Sequence, residues 1–403
     1  MNVIFLTMSQ NVDINLREIY PDLLRKFVKE GHQVFIVHPR ERRFGLNTGI
    51  KKEGSVTYLG VKTLNLQKSS IVEKGLGQVL VESQYKKAIK KFLANQKFDL
   101  ILYSTPPITF PKVISFLKSH NPQAKTYLLL KDIFPQNAVD IGMMSTTGVK
   151  GVLYRFFRKK EKKLYALSDF IGCMSPANVK YVLKHNPEIT PDRVEVAANS
   201  IELLDTNHSN LSEKKAIREK YGMPLDKPIF IYGGNLGKPQ GIRYLVDCLE
   251  ANKERKDCYF AVVGSGTDYN VVSEWYELNK DKNIRLLSFL PKVDYEILVR
   301  SCDVGLVFLD YRFTIPNYPS RILSYMENKM PVLCATDPNT DMGRIAEGNG
   351  YGYWCESNSV EAFTAMVDKM IQSDRKAMGE KGFEFLKKNY LVDNTYNAIM
   401  SHV

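Results

Sequence analysis

The feature that most constrains this chain is a repeated alternation of short apolar runs of strand length with segments whose apolar residues fall at helical spacing. "NVIFLTM" opens the chain at Asn2, and a polar loop leads into "INLREIYPDLLRKFVKEGHQVFIVHP". There Leu23, Leu24, Phe27 and Val28 share a helix face, Gly31 fits a helix C-terminus, and "QVFIVHP" is the next strand. The pattern continues with a helix around "SQYKKAIKKFLANQ", strand "DLILYST", a helix after "PPITFP", strand "TYLLLKD", the basic helix "VKGVLYRFFRKKEKKLYALS" and strand "DFIGCMS". "RVEVAANSIELLD" closes this half, and "DTNHSNLSEKKAIREKYGMPLDKP" reads as a connector with a short helix. A second series follows, with strands in "IFIYGGNLG", "CYFAVVGSG", "IRLLSFLP", "DVGLVFLD" and "MPVLCAT", and helices between them. Continuously apolar strands separated by helices predict parallel, doubly wound α/β sheets, here two Rossmann-like halves in tandem. In open sheets of this kind ligands bind beyond the carboxyl ends of the strands, so two halves facing each other make a cleft.

At 403 residues two domains are expected, and 44% hydrophobic with 25% charged residues is the composition of a folded, water-soluble chain. The N-terminus lacks a basic leader, and no run reaches the roughly 18 apolar residues of a membrane span, so a cytoplasmic protein is expected. The six cysteines, at 173, 248, 258, 302, 334 and 355, have no C-x-x-C spacing and read as reduced core residues, with neither zinc nor disulfides. Charge is asymmetric. Residues 1–200 carry 31 Lys and Arg against 16 Asp and Glu, net +15 in a chain whose total is +12, so the remainder is net −3. Such a basic half suits nucleic acid, an anionic membrane leaflet or a phosphorylated substrate.

Two stretches suggest a phosphate site. "YGGNLGKPQG" (Tyr232–Gly241) joins a strand to a helix, and Gly233, Gly234, Gly237 and Gly241 permit close backbone approach to an anion, although a plain tight turn has the same composition. "VVGSGTD", with Gly264, is a second such turn. In "NYPSRILSYMENKMPVL", Pro319 suits a helix start, Ser320 adds a hydroxyl and Arg321 a planar fork matched to phosphate oxygens. A capping Ser beside a solvated Arg is the plainer account.

In this order the motifs resemble the retaining nucleotide-sugar glycosyltransferases of family 4, which have the GT-B fold: α/β, with two Rossmann-like domains facing across a cleft. "GGNLGKPQG", "VVGSG", "FLPKVDYEILVRSCDVGLV" and "PSRILSYMENKMPVL" carry the resemblance in the second half; "LLLKDIFPQNAVDIG" and "EVAANSIEL" carry it in the first. The sequence is most similar to the subgroup that builds bacterial capsule, O-antigen and exopolysaccharide repeats, including N-acetylfucosamine transferases. The resemblance implies an acceptor domain over 1–200, a nucleotide-sugar domain over 201–385 and a last helix, 386–403, crossing back to the first domain. It implies donor contacts from Gly233, Gly234, Asn235, Gly237, Gly264, Pro319, Ser320 and Arg321, with Lys238 and Arg321 supplying charge for the diphosphate. The chain departs from the family in three places. Pro316 and Ser324 replace the two carboxylates of the usual Glu-x7-Glu, so the ribose falls to Ser324 or Glu327; Gln240 replaces the usual Lys; and Ser200 follows Asn199 where Gly is common.

Loss of a nucleoside diphosphate builds about two negative charges on the leaving group, which amides and Arg or Lys can stabilise without a metal or other cofactor. The second half has no D-x-D cluster and no His pair at ligand spacing. Asp132, after a predicted strand, is expected to position acceptor or donor sugar, or else to cap the next helix; Asp13 and Asn15, in the first βα loop, are candidates for acceptor contact or an ordinary polar turn. "YRFFRKKEKKLY" (Tyr154–Tyr165) reads as a membrane-surface helix among anionic headgroups, or as a solvated face with Phe156 and Phe157 turned into the core. The expected activity is transfer of a sugar, for instance an N-acetylated amino or deoxy sugar, from a UDP-sugar to a polyprenyl-diphosphate-linked acceptor at the inner face of the membrane. The alternatives are a UDP-sugar 2-epimerase of the same fold, which the scarcity of His disfavours, and a basic nucleic-acid-binding protein, which would lack any recognised base-reading motif.

Overall fold

The computed structural model describes residues 1–10, 12–66, 71–203 and 211–403. The chain divides into two units, Met1–Glu202 together with Val392–Val403, and Leu203–Leu391. Residues 204–210, the start of the expected connector, lie outside the described residues; its short helix is Leu211–Lys220.

As the alternation predicts, unit 1 is built on a parallel sheet. Its described strands are β1 (Asn2–Leu6), β2 (Gln33–Glu41), β3 (Gly49–Glu53), β4 (Val56–Thr63), β5 (Leu100–Ser104), β6 (Lys125–Leu130), β7 (Phe170–Cys173) and β8 (Val194–Val196), in the order β3-β4-β2-β1-β5-β6-β7-β8. Every neighbouring pair is parallel except the β3–β4 hairpin. Val3, Ile4, Phe5 and Leu6 are all buried because helices cover both faces of a parallel sheet. The hairpin is an addition to the sequence reading. Glu53 and Val56 pair across the two-residue turn Gly54-Ser55, and the outer strand, "GIKKE", is polar because it forms an edge that charged side chains protect. The helix expected around "SQYKKAIKKFLANQ" is longer at its start, Ile71–Phe92.

The final helix, Val392–Met400, belongs to this unit. Ile399 enters its core, and Thr395 Oγ1 donates to Ala198 O (3.1 Å) and meets Ser200 Oγ (2.8 Å). The serine that departs from the family pattern therefore has a structural partner.

Unit 2 holds β9 (Ile229–Asn235), β10 (Tyr259–Ser265), β11 (Ile284–Leu287), β12 (Val304–Phe308), β13 (Val332–Thr336) and β14 (Gly352–Glu356), in the order β11-β10-β9-β12-β13-β14, all parallel. The chain runs outward from β9 through β10 to β11, then returns to β12 on the other side. The switch point therefore lies between β9 and β12, and ligands of doubly wound sheets bind at such a point. β9 pairs with β12 only at Phe230 and Ile231, but follows β10 as far as Asn235↔Ser265, leaving its glycine-rich end beyond β12. In unit 1 the corresponding switch lies between β1 and β5. All six cysteines are buried as free thiols. Among the described residues no helix is long and apolar enough to cross a membrane.

Candidate functional site

The carboxyl end of β9 is where most of the expected donor residues meet. Tyr232, fully buried at the start of the turn, donates from Oη to Asn235 O (2.6 Å), and its ring lies under the Arg321 guanidinium, 4.5 Å from Cζ. Gly234 has φ +133°, and a Cβ there would stand 3.2 Å from Arg321 Cζ. Only glycine lets the turn take this shape against the cation. Gly264 is required for a different reason: any Cβ would overlap the carbonyl oxygen of its β10–β9 partner, Gly234. Asn235 Nδ2 donates to Gln240 Oε1 (2.9 Å), so the residue standing where the family usually has Lys closes the loop instead. Gly237 precedes the one-turn helix Lys238–Gln240, and Lys238 is exposed.

Arg321 opens the short helix Arg321–Glu327. Its surroundings are aromatic: Tyr232 below, with Tyr295 and Tyr325 close enough to influence its charge. Tyr325 Oη accepts from Gly233 N (3.2 Å) and faces the carbonyls of Ile231 and Leu306, both at 3.3 Å, which ties the helix to β9 and β12. No carboxylate pairs with Arg321 among the described residues, and its Nη1 is enclosed without a hydrogen-bond partner. Leaving a charged donor in that state is costly, so the geometry suits an anion that completes it. The plainer account of this pair does not apply, since Ser320 makes no side-chain capping bond and is exposed, while Arg321 is packed rather than solvated. Ser324, one turn on, is half-buried, whereas Glu327 is buried.

The segment leading to this helix is anchored from behind, which the sequence reading missed. Tyr318 Oη meets Tyr390 Oη at 2.5 Å, Asn317 N donates to Thr340 Oγ1 (3.0 Å), and Asn339 Nδ2 donates to Phe313 O (2.7 Å). Asp337 organises that second loop, accepting from Thr340 N (2.9 Å), Thr340 Oγ1 (2.8 Å) and Asn339 N (2.8 Å). Burial pushes the Asp337 carboxyl up to about 6 against the pull of these donors. Only the "D-P-N-T" run at the end of an apolar strand could have signalled it.

Asp13, Asn15 and Asp132 all belong to unit 1. Asp132 follows β6, and Thr105 after β5 fixes its backbone: Thr105 Oγ1 accepts from Lys131 N (3.0 Å) and donates to Asp132 O (3.1 Å). Its carboxylate accepts two contacts from Asn137 Nδ2 (2.7 and 2.9 Å), and burial raises its pKa to about 6. It does not cap the next helix, Gln136–Asp140, whose cap position is Pro135. Beside it, burial lowers Lys131 to about 7, and its Nζ donates to Ala197 O (2.9 Å). Asp13 and Asn15 are exposed at the switch point after β1 and bond each other, Asn15 N and Nδ2 both donating to Asp13 Oδ1 (2.9 and 3.0 Å). Among the described residues no group of three or more His, Cys, Asp or Glu side chains is arranged to hold a metal ion.

Residues 213–385, within unit 2, match the family model "Glycosyl transferases group 1". The chain is similar to "Probable glycosyltransferase WbjE" of Pseudomonas aeruginosa, with 24% identity over 334 residues covering 80% of this chain and 78% of that one. Among solved structures it resembles sucrose-phosphate synthase from Thermosynechococcus elongatus, with TM-score 0.75, 13% identity, and coverage of 99% of this chain and 97% of the other. It also resembles Anabaena Alr3699/HepE in complex with UDP, with TM-score 0.69, 13% identity, and coverage of 100% and 99%. These likenesses establish the GT-B fold, two parallel-sheet α/β domains.

Proposed function

We propose that the protein is a retaining glycosyltransferase that passes a sugar from a UDP-sugar to a saccharide carried on a polyprenyl diphosphate, in assembly of a bacterial surface polysaccharide, at the inner face of the cell membrane. The observation that carries the donor half is the enclosed, unpartnered Nη1 of Arg321 beside the glycine turn, with Gly234 at φ +133°, at the switch point of unit 2. The UDP held by the structurally similar HepE supports the choice of nucleotide. The acceptor half rests on the subgroup resemblance and on the basic first half.

In this reading the bond from the anomeric carbon to the diphosphate breaks while a bond to the acceptor oxygen forms on the same face, and a diphosphate oxygen takes the acceptor proton. Arg321, the Ser320 hydroxyl and the amides of the Gly233–Gly237 turn stabilise the charge that collects on the leaving group. Lys238 adds a mobile cation, and Ser324 or Glu327 serves the ribose. Charge neutralisation by these groups makes the reaction metal-independent. Asp132, steadied by Asn137, orients the acceptor hydroxyl, with Asp13 and Asn15 as further acceptor contacts.

The test is thermal stabilisation by UDP, compared with GDP, ADP and TDP, with and without magnesium. A ligand at 100 times its Kd adds about 2.7 kcal/mol to the folded state. Stabilisation selective for UDP, unaffected by magnesium and lost in Arg321→Ala is expected; indifference to every nucleotide would overturn the donor assignment.

A further inference from the structure

The basic helix Gly148–Leu167 presents two stripes at helical spacing. One turns inward: Gly151, Glu161, Leu164 and Tyr165 are buried, Tyr165 Oη donates to Glu161 Oε1 (2.7 Å), and Arg158 pairs with Glu161 while reaching Asn186 Oδ1 (2.7 Å). The other turns outward and is apolar. Val149, Val152, Leu153 and Phe156 stand at i, i+3, i+4 and i+7, exposed by 90%, 60%, 48% and 44%, with Met143 exposed just before them. Phe157, by contrast, packs edge-on against Phe134, 5.1 Å between ring centres. A globular protein gains nothing by displaying such a stripe to water, and contiguous exposed apolar surface marks an interaction site.

Charge indicates what covers it. Lys150, Arg155, Lys159 and Lys163 are exposed along the same helix, and none is paired to an acid among the described residues. The only carboxylate of the helix, Glu161, is buried and committed to Arg158. A nucleic acid would satisfy these cations but leave the valines and leucine facing phosphate. An anionic lipid leaflet offers both partners at once: headgroups for the cations and, a few ångströms deeper, acyl chains for the stripe.

We infer that the face Val149–Phe156 is the surface by which the protein lies on an anionic bilayer, its apolar stripe set into the boundary between headgroups and acyl chains. Topology places it usefully. A helix following a parallel strand starts at the sheet's carboxyl edge, so this stripe, at the start of its helix, shares that edge with Asp132 at the end of β6. The turn after β2 adds a second contact at the same edge, with Phe44 and Leu46 exposed and Arg43 over the Phe44 ring (4.8 Å). The inference rests on the reading of the acceptor as lipid-borne, and it explains how the acceptor residues meet a substrate confined to a membrane.

The test is co-sedimentation of the full chain with vesicles of phosphatidylcholine alone or with about a third phosphatidylglycerol, at low salt and at high salt. Wild type is expected on the anionic vesicles and not on the neutral ones. Val152→Asp with Leu153→Asp should lower the bound fraction at least tenfold, as should Lys150→Glu with Arg155→Glu and Lys159→Glu. Wild type that ignores anionic vesicles, or an aspartate variant that sediments like wild type, overturns the inference; displacement of wild type from vesicles by a single-stranded oligonucleotide would do so in favour of nucleic acid. UDP-dependent thermal stabilisation, measured in the same variants, separates the two readings. Its retention with vesicle binding lost isolates the membrane surface, and its absence in wild type with vesicle binding intact would sink the donor assignment alone.

Discussion

Arg321 and Asp132 are each held in a state that costs stability, and the costs are measurable. On the proposed reading, Arg321→Ala removes one preorganised contact to the leaving group, for which a loss of about 2–4 kcal/mol, or roughly 30- to 1000-fold in kcat/KM, is typical. The same change leaves the ligand-free protein almost as stable as before, because the lost cation–π contact, worth about 0.5–1 kcal/mol, is offset by relief of the enclosed Nη1. A melting temperature that falls by many degrees without ligand would show Arg321 to be structural. For Asp132 the sign follows from the pKa. Its folded value of about 6 lies above the ordinary 3.8, so the folded protein keeps a proton that the unfolded chain releases between about pH 4 and pH 6. Stability from this group therefore falls as pH rises through that window and stays low above it. Asp132→Asn should melt higher than wild type at pH 8 and no differently below about pH 4, while losing turnover; equal melting at both pH values would refute the buried-carboxylate assignment.

Between elements, two contacts decide whether the turn and the clamp helix meet. Gly264→Val would force β10 from β9 at the Gly264↔Gly234 pair, an overpacking change that typically costs about 1–3 kcal/mol, and would weaken UDP binding with it. Asp337→Ala frees the Thr340 hydroxyl that accepts from Asn317, three residues before Ser320, and should loosen UDP binding without abolishing it; titration calorimetry of both variants checks this. Much of this layer was legible in the sequence. Most strands declare themselves as apolar runs and the β9 turn by its glycines, because both signals are local, whereas β4 (VTYLGVKT) and β14 (GYWCE), which mix polar and apolar residues, were not read. The β3 edge was not legible, since "GIKKE" has the polarity of a loop. Nor was the floor beneath Arg321: Tyr232, Tyr295 and Tyr325 come from three separate elements, and only the switch-point topology brings them together. The basic segment was legible as a helix but not in its faces, for only packing shows Phe157 turned to Phe134 and Phe156 left outside.

At the scale of the molecule, unit 1 is discontinuous: the chain leaves it after Glu202 and re-enters at Val392, whose amide donates to Ile201 O (3.1 Å). A chain ending at Leu391 lacks Ile399 from the unit 1 core and the Thr395 bonds to Ala198 and Ser200, yet keeps every candidate donor residue of unit 2. Calorimetry of that truncated chain should show a weakened or missing unit 1 transition beside a unit 2 transition still raised by UDP; a single unchanged transition would contradict the division. The discontinuity also orders events during synthesis. A ribosome finishes unit 2 before it has made the helix Val392–Met400 that unit 1 needs, so the basic unit is the last to become whole.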